Sequence, residues 1–200
     1  MSTTYQQLYQ GVLLRLNDLS GRAFLAAKDA VNDAITALAR AQDFPELQER
    51  STTNSTTSGT YRYHLVDDFT LTRFKDLQSI VLSDGVLSRK LQWLHYHQFD
   101  EQWPDPTALS SGRPHSYTTR GNYVEFFPVP DSSYSLVITY TIWPQALVAD
   151  SDTMVFSDDL KDVVTVLATE IAKGILSPDP VGYVDWSKRA KEILLSAIRE

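Results

Sequence analysis

The sequence predicts an α+β fold, with an antiparallel β domain of about six strands inserted between an N-terminal helix pair and a C-terminal helix pair. Three observations lead there. Long runs of apolar residues at helical spacing occupy the two ends of the chain, residues 4–41 and 158–198. The middle carries short β-branched and aromatic runs punctuated by Gly, Pro, Asn and Asp. Helices and strands are therefore segregated, which favours an antiparallel sheet beside helices over alternating parallel units. The expected division is a helical bundle from residues 1–47 and 156–200, and a β domain over 60–147 with a short helix near 95–103.

The first helix is expected over 4–16, where Tyr5, Leu8, Tyr9, Val12, Leu13 and Leu16 form a stripe. Ser20 is placed to cap a second helix over 22–41, whose Phe24, Val31, Ile35 and Leu38 share a face. The remainder of that helix is rich in alanine, a strong helix former whose small side chain admits close approach. Either another helix of the same chain or a neighbouring copy could use that surface. Pro45 ends the helix, and the polar Ser/Thr-rich stretch 48–60 reads as a mobile loop or linker.

Residues 61–65 and 74–82 read as strands, and Ser83-Asp84-Gly85 as a hairpin turn leading to a partner strand over 86–93. Tyr96, Phe99 and Trp103 fall on one side of a short helix. Residues 113–144 then read as a self-contained antiparallel meander. Its strands are 116–119, 123–127 and 134–143, joined at Arg120-Gly121-Asn122 and at a turn over 128–133 containing Pro128, Pro130 and Asp131. Leu136, Ile138, Tyr140 and Ile142 alternate with polar or smaller residues along the last strand. Ser157 followed by Asp158 and Asp159 marks a helix start, and Pro178-Asp179-Pro180 separates that helix from a final one over 181–198.

The totals narrow the function classes. A chain of 200 residues can bury roughly 70% of its unfolded surface without a covalent staple. The absence of cysteine excludes disulfides, thiolate metal sites and thiol catalysis. A net charge of -7 is the wrong sign for a protein that coats DNA. No apolar run is long enough for a membrane span, and residues 1–18 lack the basic-then-apolar order of a secretory leader.

Candidate chemistry is sparse. His95 and His97 point apart on a helix and have no Cys or third His nearby. The carboxylate groups at Asp67-Asp68, Asp150/Asp152 and Asp158-Asp159 lack the spacing of a calcium loop. No nucleophile elbow and no phosphate-cradling glycine pattern occurs. No enzyme activity and no cofactor is expected. The aromatic residues between Tyr61 and Trp143 supply either the sheet's core or an aromatic interface.

As a whole the layout resembles the head-to-tail adaptor (connector) proteins of tailed bacteriophages. The likeness rests on the helix pair ending in ALARAQDFPEL with the Ser/Thr stretch and strand after it. It rests also on Gly112-Arg113-Pro114 leading to Tyr117, on YVEFFPVPD from Tyr123, and on the Tyr140 strand ending in Trp143-Pro144-Gln145-Ala146-Leu147. An acidic loop and an apolar helix beginning near Asp158 complete it.

The resemblance implies a non-enzymatic virion protein at the head–tail interface, assembled in the bacterial host cytoplasm. Such proteins attach to the portal as a ring, usually of twelve copies, extend the DNA channel and dock the next tail or nozzle protein. DNA passes without specific binding, and no membrane is involved. On that reading Trp186, Lys188, Arg189, Ile193, Leu194 and Ile198 of the last helix are the expected portal or ring contacts. Arg120, Gly121, Asn122, Pro128, Pro130 and Asp131 are the expected turns facing the tail or a neighbouring copy. The alternatives are another phage neck or tail-completion protein, and a binding module whose aromatic sheet face holds a carbohydrate or peptide.

Overall fold

The computed structural model describes residues 2–177 together with Lys188, Arg189, Glu192 and Leu195. In chain order its helices are α1 (Tyr5–Leu16), α2 (Gly21–Ala41), α3 (Tyr96–Gln102) and α4 (Lys161–Leu176). Its strands are β1 (Gln48–Ser55), β2 (Arg62–His64), β3 (Phe74–Ser83), β4 (Ser88–Lys90), β5 (Gln92–Trp93), β6 (Ser116–Arg120), β7 (Tyr123–Phe127) and β8 (Ser135–Ile142). The chain divides into two compact units, Gln48–Ile142 and the flanking Met1–Leu47 with Trp143–Glu200.

In the helical unit side chains cap both N-termini, Ser20 as the sequence predicts and Thr4, expected within the helix, in addition. Thr4 and Gln7 bond reciprocally, the Gln7 N–H donating to Thr4 Oγ1 at 3.3 Å and the Thr4 N–H to Gln7 Oε1 at 3.1 Å. Ser20 Oγ accepts from the Ala23 N–H at 3.2 Å. Asn17 closes α1 in the left-handed conformation, φ 52°. The alanine surface of α2 proves to be core: Ala23, Ala26, Ala27, Ala30, Ala34 and Ala39 are buried, and α2 packs on both α1 and α4. Close approach recurs between α1 and α4, where a Cβ added at Gly11 would lie 3.0 Å from the Thr165 methyl.

The helix start at 157–159 differs from expectation. Ser157 makes no capping bond, and Asp158 to Leu160 forms a 3-10 turn before α4 begins. The Asp158 carboxylate is taken by Thr3, whose N–H and hydroxyl both donate to it at 2.7 Å. That partner lies 155 residues away in the chain. The segment before it is fastened in the same way. The Tyr5 and Gln6 N–H groups, free at the start of α1, donate to the Asp152 and Asp150 carbonyls at 2.7 and 3.2 Å.

The β unit holds eight strands in two four-stranded sheets, ordered β1-β8-β3-β4 and β2-β7-β6-β5, rather than about six in one antiparallel array. The first sheet is antiparallel throughout, whereas β5 pairs parallel with β6 in the second. Three expectations change with this. Residues 48–60 are no mobile linker: β1 pairs with β8 from Gln48↔Thr141 to Ser55↔Ser135. The expected partner strand over 86–93 is split at Leu91, with β4 in one sheet and β5 in the other. Residues 113–144 are not a meander, because β6 and β7 form a hairpin in the second sheet while β8 lies at the centre of the first.

The chain changes sheets through residues 128–134, a passage that begins with a cis Phe127–Pro128 peptide. Thr56 fixes that passage, its hydroxyl donating to the Ser132 carbonyl at 3.1 Å and accepting from the Tyr134 N–H at 2.9 Å. The core of the unit is aromatic and aliphatic. Tyr63 stacks on Phe69 at 5.1 Å and meets the edge of Phe126 at 5.7 Å, while Ile80, Leu82, Leu136 and Ile138 are fully buried along β3 and β8.

Candidate interaction surfaces

The tip of the β3–β4 hairpin is the most exposed apolar feature of the β unit. Val86 is 88% and Leu87 65% exposed, yet the backbone beneath them is tightly held. One carboxylate oxygen of Asp84 accepts from the Val86 and Leu87 N–H groups at 2.9 and 2.8 Å. Arg113 donates to the other at 2.6 Å and to the Leu87 carbonyl at 2.8 Å. The Leu87 and Val86 N–H groups, with Arg113, hold the Asp84 carboxyl below its ordinary range. Gly85 supplies the positive φ, 89°, that the turn requires. The sequence announced the turn through Asp84-Gly85, but it gave Val86 and Leu87 to a strand; only the hydrogen-bond pattern exposes them.

At the other end of β3 the chain forms a shallow recess over residues 66–74, lined by Val66, Leu71 and Phe74 with Asp67 and Arg73 at its rim. Thr70 and Arg73 both adopt left-handed backbone, φ 51° and 50°. For residues with a Cβ each such conformation costs about 1–3 kcal/mol and persists only under surrounding restraint. The bonds around this segment hold Arg73 and the turn before it. The His64 N–H donates to Asp68 at 2.6 Å, the Asp67 N–H donates to His64 Nδ1 at 3.1 Å, and Arg73 pairs with Glu49 at 3.4 Å.

The turns singled out from sequence sit at opposite ends of the β6–β7 hairpin, so they do not form one surface. Gly121, φ 58°, and Asn122 are exposed at one end, and Pro128, Pro130 and Asp131 follow the other. Arg120 is committed to an ion network: its Nε donates to the buried Glu125 at 3.1 Å, and its NH2 donates to Asp100. Asp100 first, then Glu125, push the Arg120 guanidinium above its ordinary value. Arg62 reaches the same Glu125 at 3.6 Å while lying over the Tyr123 ring at 4.2 Å. Pro130 is buried, and its carbonyl accepts from the Gly59 N–H at 2.8 Å.

In the helical unit Lys28 is enclosed by the rings of Tyr5, Tyr9 and Phe24, at 5.3, 4.9 and 5.0 Å, and pairs with Asp150 at 3.0 Å. Lys28 thereby holds the Asp150 carboxyl below its usual range. Of the residues expected to contact a portal, Lys188 and Arg189 are helical and exposed, while Trp186, Ile193, Leu194 and Ile198 lie outside the described residues.

No group of three or more His, Asp or Glu among the described residues is placed to hold a metal ion. His95 instead starts α3, its Nδ1 accepting from the His97 N–H at 3.4 Å. Of the carboxylates that form clusters in sequence, Asp67, Asp68, Asp150, Asp152 and Asp158 are engaged with backbone amides, Thr3, Lys28 or His64. No helix of the described chain is long and apolar enough to cross a membrane. A search of the curated proteins finds no match. The profile of a phage family described as SU10 adaptor protein matches residues 3–178, which span both the helical and the β unit, and the chain belongs to that family of adaptor proteins.

Proposed function

We propose that this protein is a structural adaptor of the head-to-tail connector in a tailed bacteriophage. Copies assemble as a ring, twelve in number, on the portal protein, lengthen the DNA channel and present a docking platform to the next tail or nozzle protein. The observation that carries this reading is the family match over residues 3–178. It covers the whole β unit and the helices on both sides of it, so the likeness is to a complete architecture rather than to one motif.

The physical character of the chain supports the same reading. A net charge of -7 sets a repulsive wall beside DNA, which favours passage over capture. The C-terminal residues Trp186, Lys188, Arg189, Ile193, Leu194 and Ile198 are the surface assigned to the portal or ring contact. The Arg120–Gly121–Asn122 turn and the Pro128, Pro130 and Asp131 passage are assigned to neighbouring copies or the tail side. Because these lie at opposite ends of β7, they serve different contacts. The test is native mass spectrometry and electron microscopy of the purified chain, alone and with the portal protein of the same phage. A ring of adaptor copies on the portal is expected. A chain that remains monomeric and leaves the portal bare would overturn the reading.

A further inference from the structure

Two apolar features of the β unit are each held rigid by side-chain bonds, and they lie at opposite ends of one strand. Beyond Ser83 stands the tip carrying Val86 and Leu87; before Phe74 lies the recess lined by Val66, Leu71 and Phe74. We infer that the Val86–Leu87 tip of one copy seats in the 66–74 recess of the next copy, as a head-to-tail contact between adaptor subunits. The inference rests on the adaptor reading and adds to it the surfaces through which copies meet.

The geometry excludes a contact within one copy. β3 spans 10 residues, on the order of 30 Å at the usual rise of an extended strand. A subunit cannot fold its own tip into its own recess across that length. Two different patches on one molecule make a heterologous contact, the kind that closes into a ring when its rotation permits.

Chemistry points to the same partner. Val86 and Leu87 are presented on a backbone already fixed by Asp84 and Arg113, so little ordering entropy is lost when they are buried. The recess is likewise bordered by fixed groups, since Arg73 pairs with Glu49 and the turn leading into it is closed by the His64 N–H donating to Asp68. Charges on the two sides are complementary. Arg89 and Lys90 are exposed on β4 directly after the tip, whereas Asp67 and Asp68 are exposed beside the recess, where His64 is their neighbour. Arg73 at the recess is already paired with Glu49, as Asp84 at the tip is with Arg113. Two apolar side chains give a weak contact between free copies, and a closed ring multiplies it by holding all copies in place at once.

The natural lack of cysteine makes a directed cross-linking test clean. Leu87→Cys and isotope-labelled Val66→Cys chains are mixed at high concentration, treated with a short bismaleimide, and the products sorted by mass. The mixed 66-to-87 dimer is expected to exceed the 87-to-87 dimer by about tenfold, the ratio that a 1.4 kcal/mol preference gives. A paired Asp substitution at Val86 in both chains and at Leu71 in neither should abolish the excess, with far-UV circular dichroism unchanged because Val86 is exposed. Statistical yields of the dimers overturn the inference. The adaptor reading falls with it only if the unmodified chain also fails to assemble on the portal protein, so the two failures are distinguishable.

Discussion

The two units solve packing in opposite ways. The helical unit is built on smallness: the alanines of α2 and Gly11 of α1 let helices approach, and the fit at Gly11 leaves no room for a Cβ without a shift of Thr165. The β unit is built on bulk, with Tyr63, Phe69, Phe126 and long aliphatic side chains filling its interior. Tight packing of small residues tolerates loss of volume better than gain, whereas an aromatic core tolerates neither a cavity nor an unpaired ring. The units should therefore respond with opposite sensitivities to the same kind of substitution.

The largest effect is expected from a cavity in the β unit. Phe126→Ala removes a fully buried ring and should cost about 3–5 kcal/mol, read from denaturant unfolding. Hydrogen exchange should localise the loss to strands β2, β6 and β7. Ala30→Leu in the helical unit tests the other half of the contrast, which would fail if the added bulk cost nothing. Ala30 is fully buried, and the added bulk should cost about 1–3 kcal/mol, with faster exchange confined to α1, α2 and α4. Smaller again is Ser20→Ala, which deletes the cap of α2 and should cost about 1 kcal/mol, visible as a lowered melting temperature.

Acid should give the mildest and most discriminating result. Asp150, Asp152 and Asp158 in the helical unit, like Asp84 and Asp105 in the β unit, have folded-state pKa values below the ordinary 3.8. Their contribution is present above that value and is lost as pH falls through the lowered values. In the β unit Asp105 braces its own turn through Thr107. In the helical unit Asp158 holds Thr3, and Asp150 holds Lys28 across 122 residues. Amides at the start of α1 should lose exchange protection before those of β8 as pH drops below 4 or so. Simultaneous loss would show that these carboxylates do not distinguish the units.

How much could be read from sequence follows the same division. α1, α2 and α4 were legible because their apolar spacing, and the Ser20 cap of α2, lie within a few residues of one another, whereas the Thr4 cap of α1 was not read. The β6–β7 hairpin was legible for the same reason. β1 was not, because an edge strand of sequence QERSTTNS has almost no apolar alternation and owes its conformation to β8, which is remote in sequence. The apparent continuity of residues 86–93 hid a change of sheet, since Leu91 alone is buried between two exposed strands. The meander over 113–144 was a reasonable inference from adjacency, but pairing with β1 and β3 captured β8 instead. The candidate contacts divide in the same way. Glycine and proline located the turns, while the apolar tip at Val86 and the recess at Val66 depend on side-chain bonds from Arg113, His64 and Glu49 that no local pattern announces.

The pairing of Gln48 with Thr141 has an evolutionary consequence. The two points where the chain passes into and out of the β unit are neighbours in an antiparallel ladder, about 5 Å apart between Cα atoms. An insertion whose ends nearly touch can be excised or exchanged as a cassette, with a short turn joining the helices left behind. Genetic recombination could thus replace the β unit as a whole while leaving the helices in place. A gene in which codons 48–142 are replaced by a short Gly-containing linker should still encode a folded helical protein.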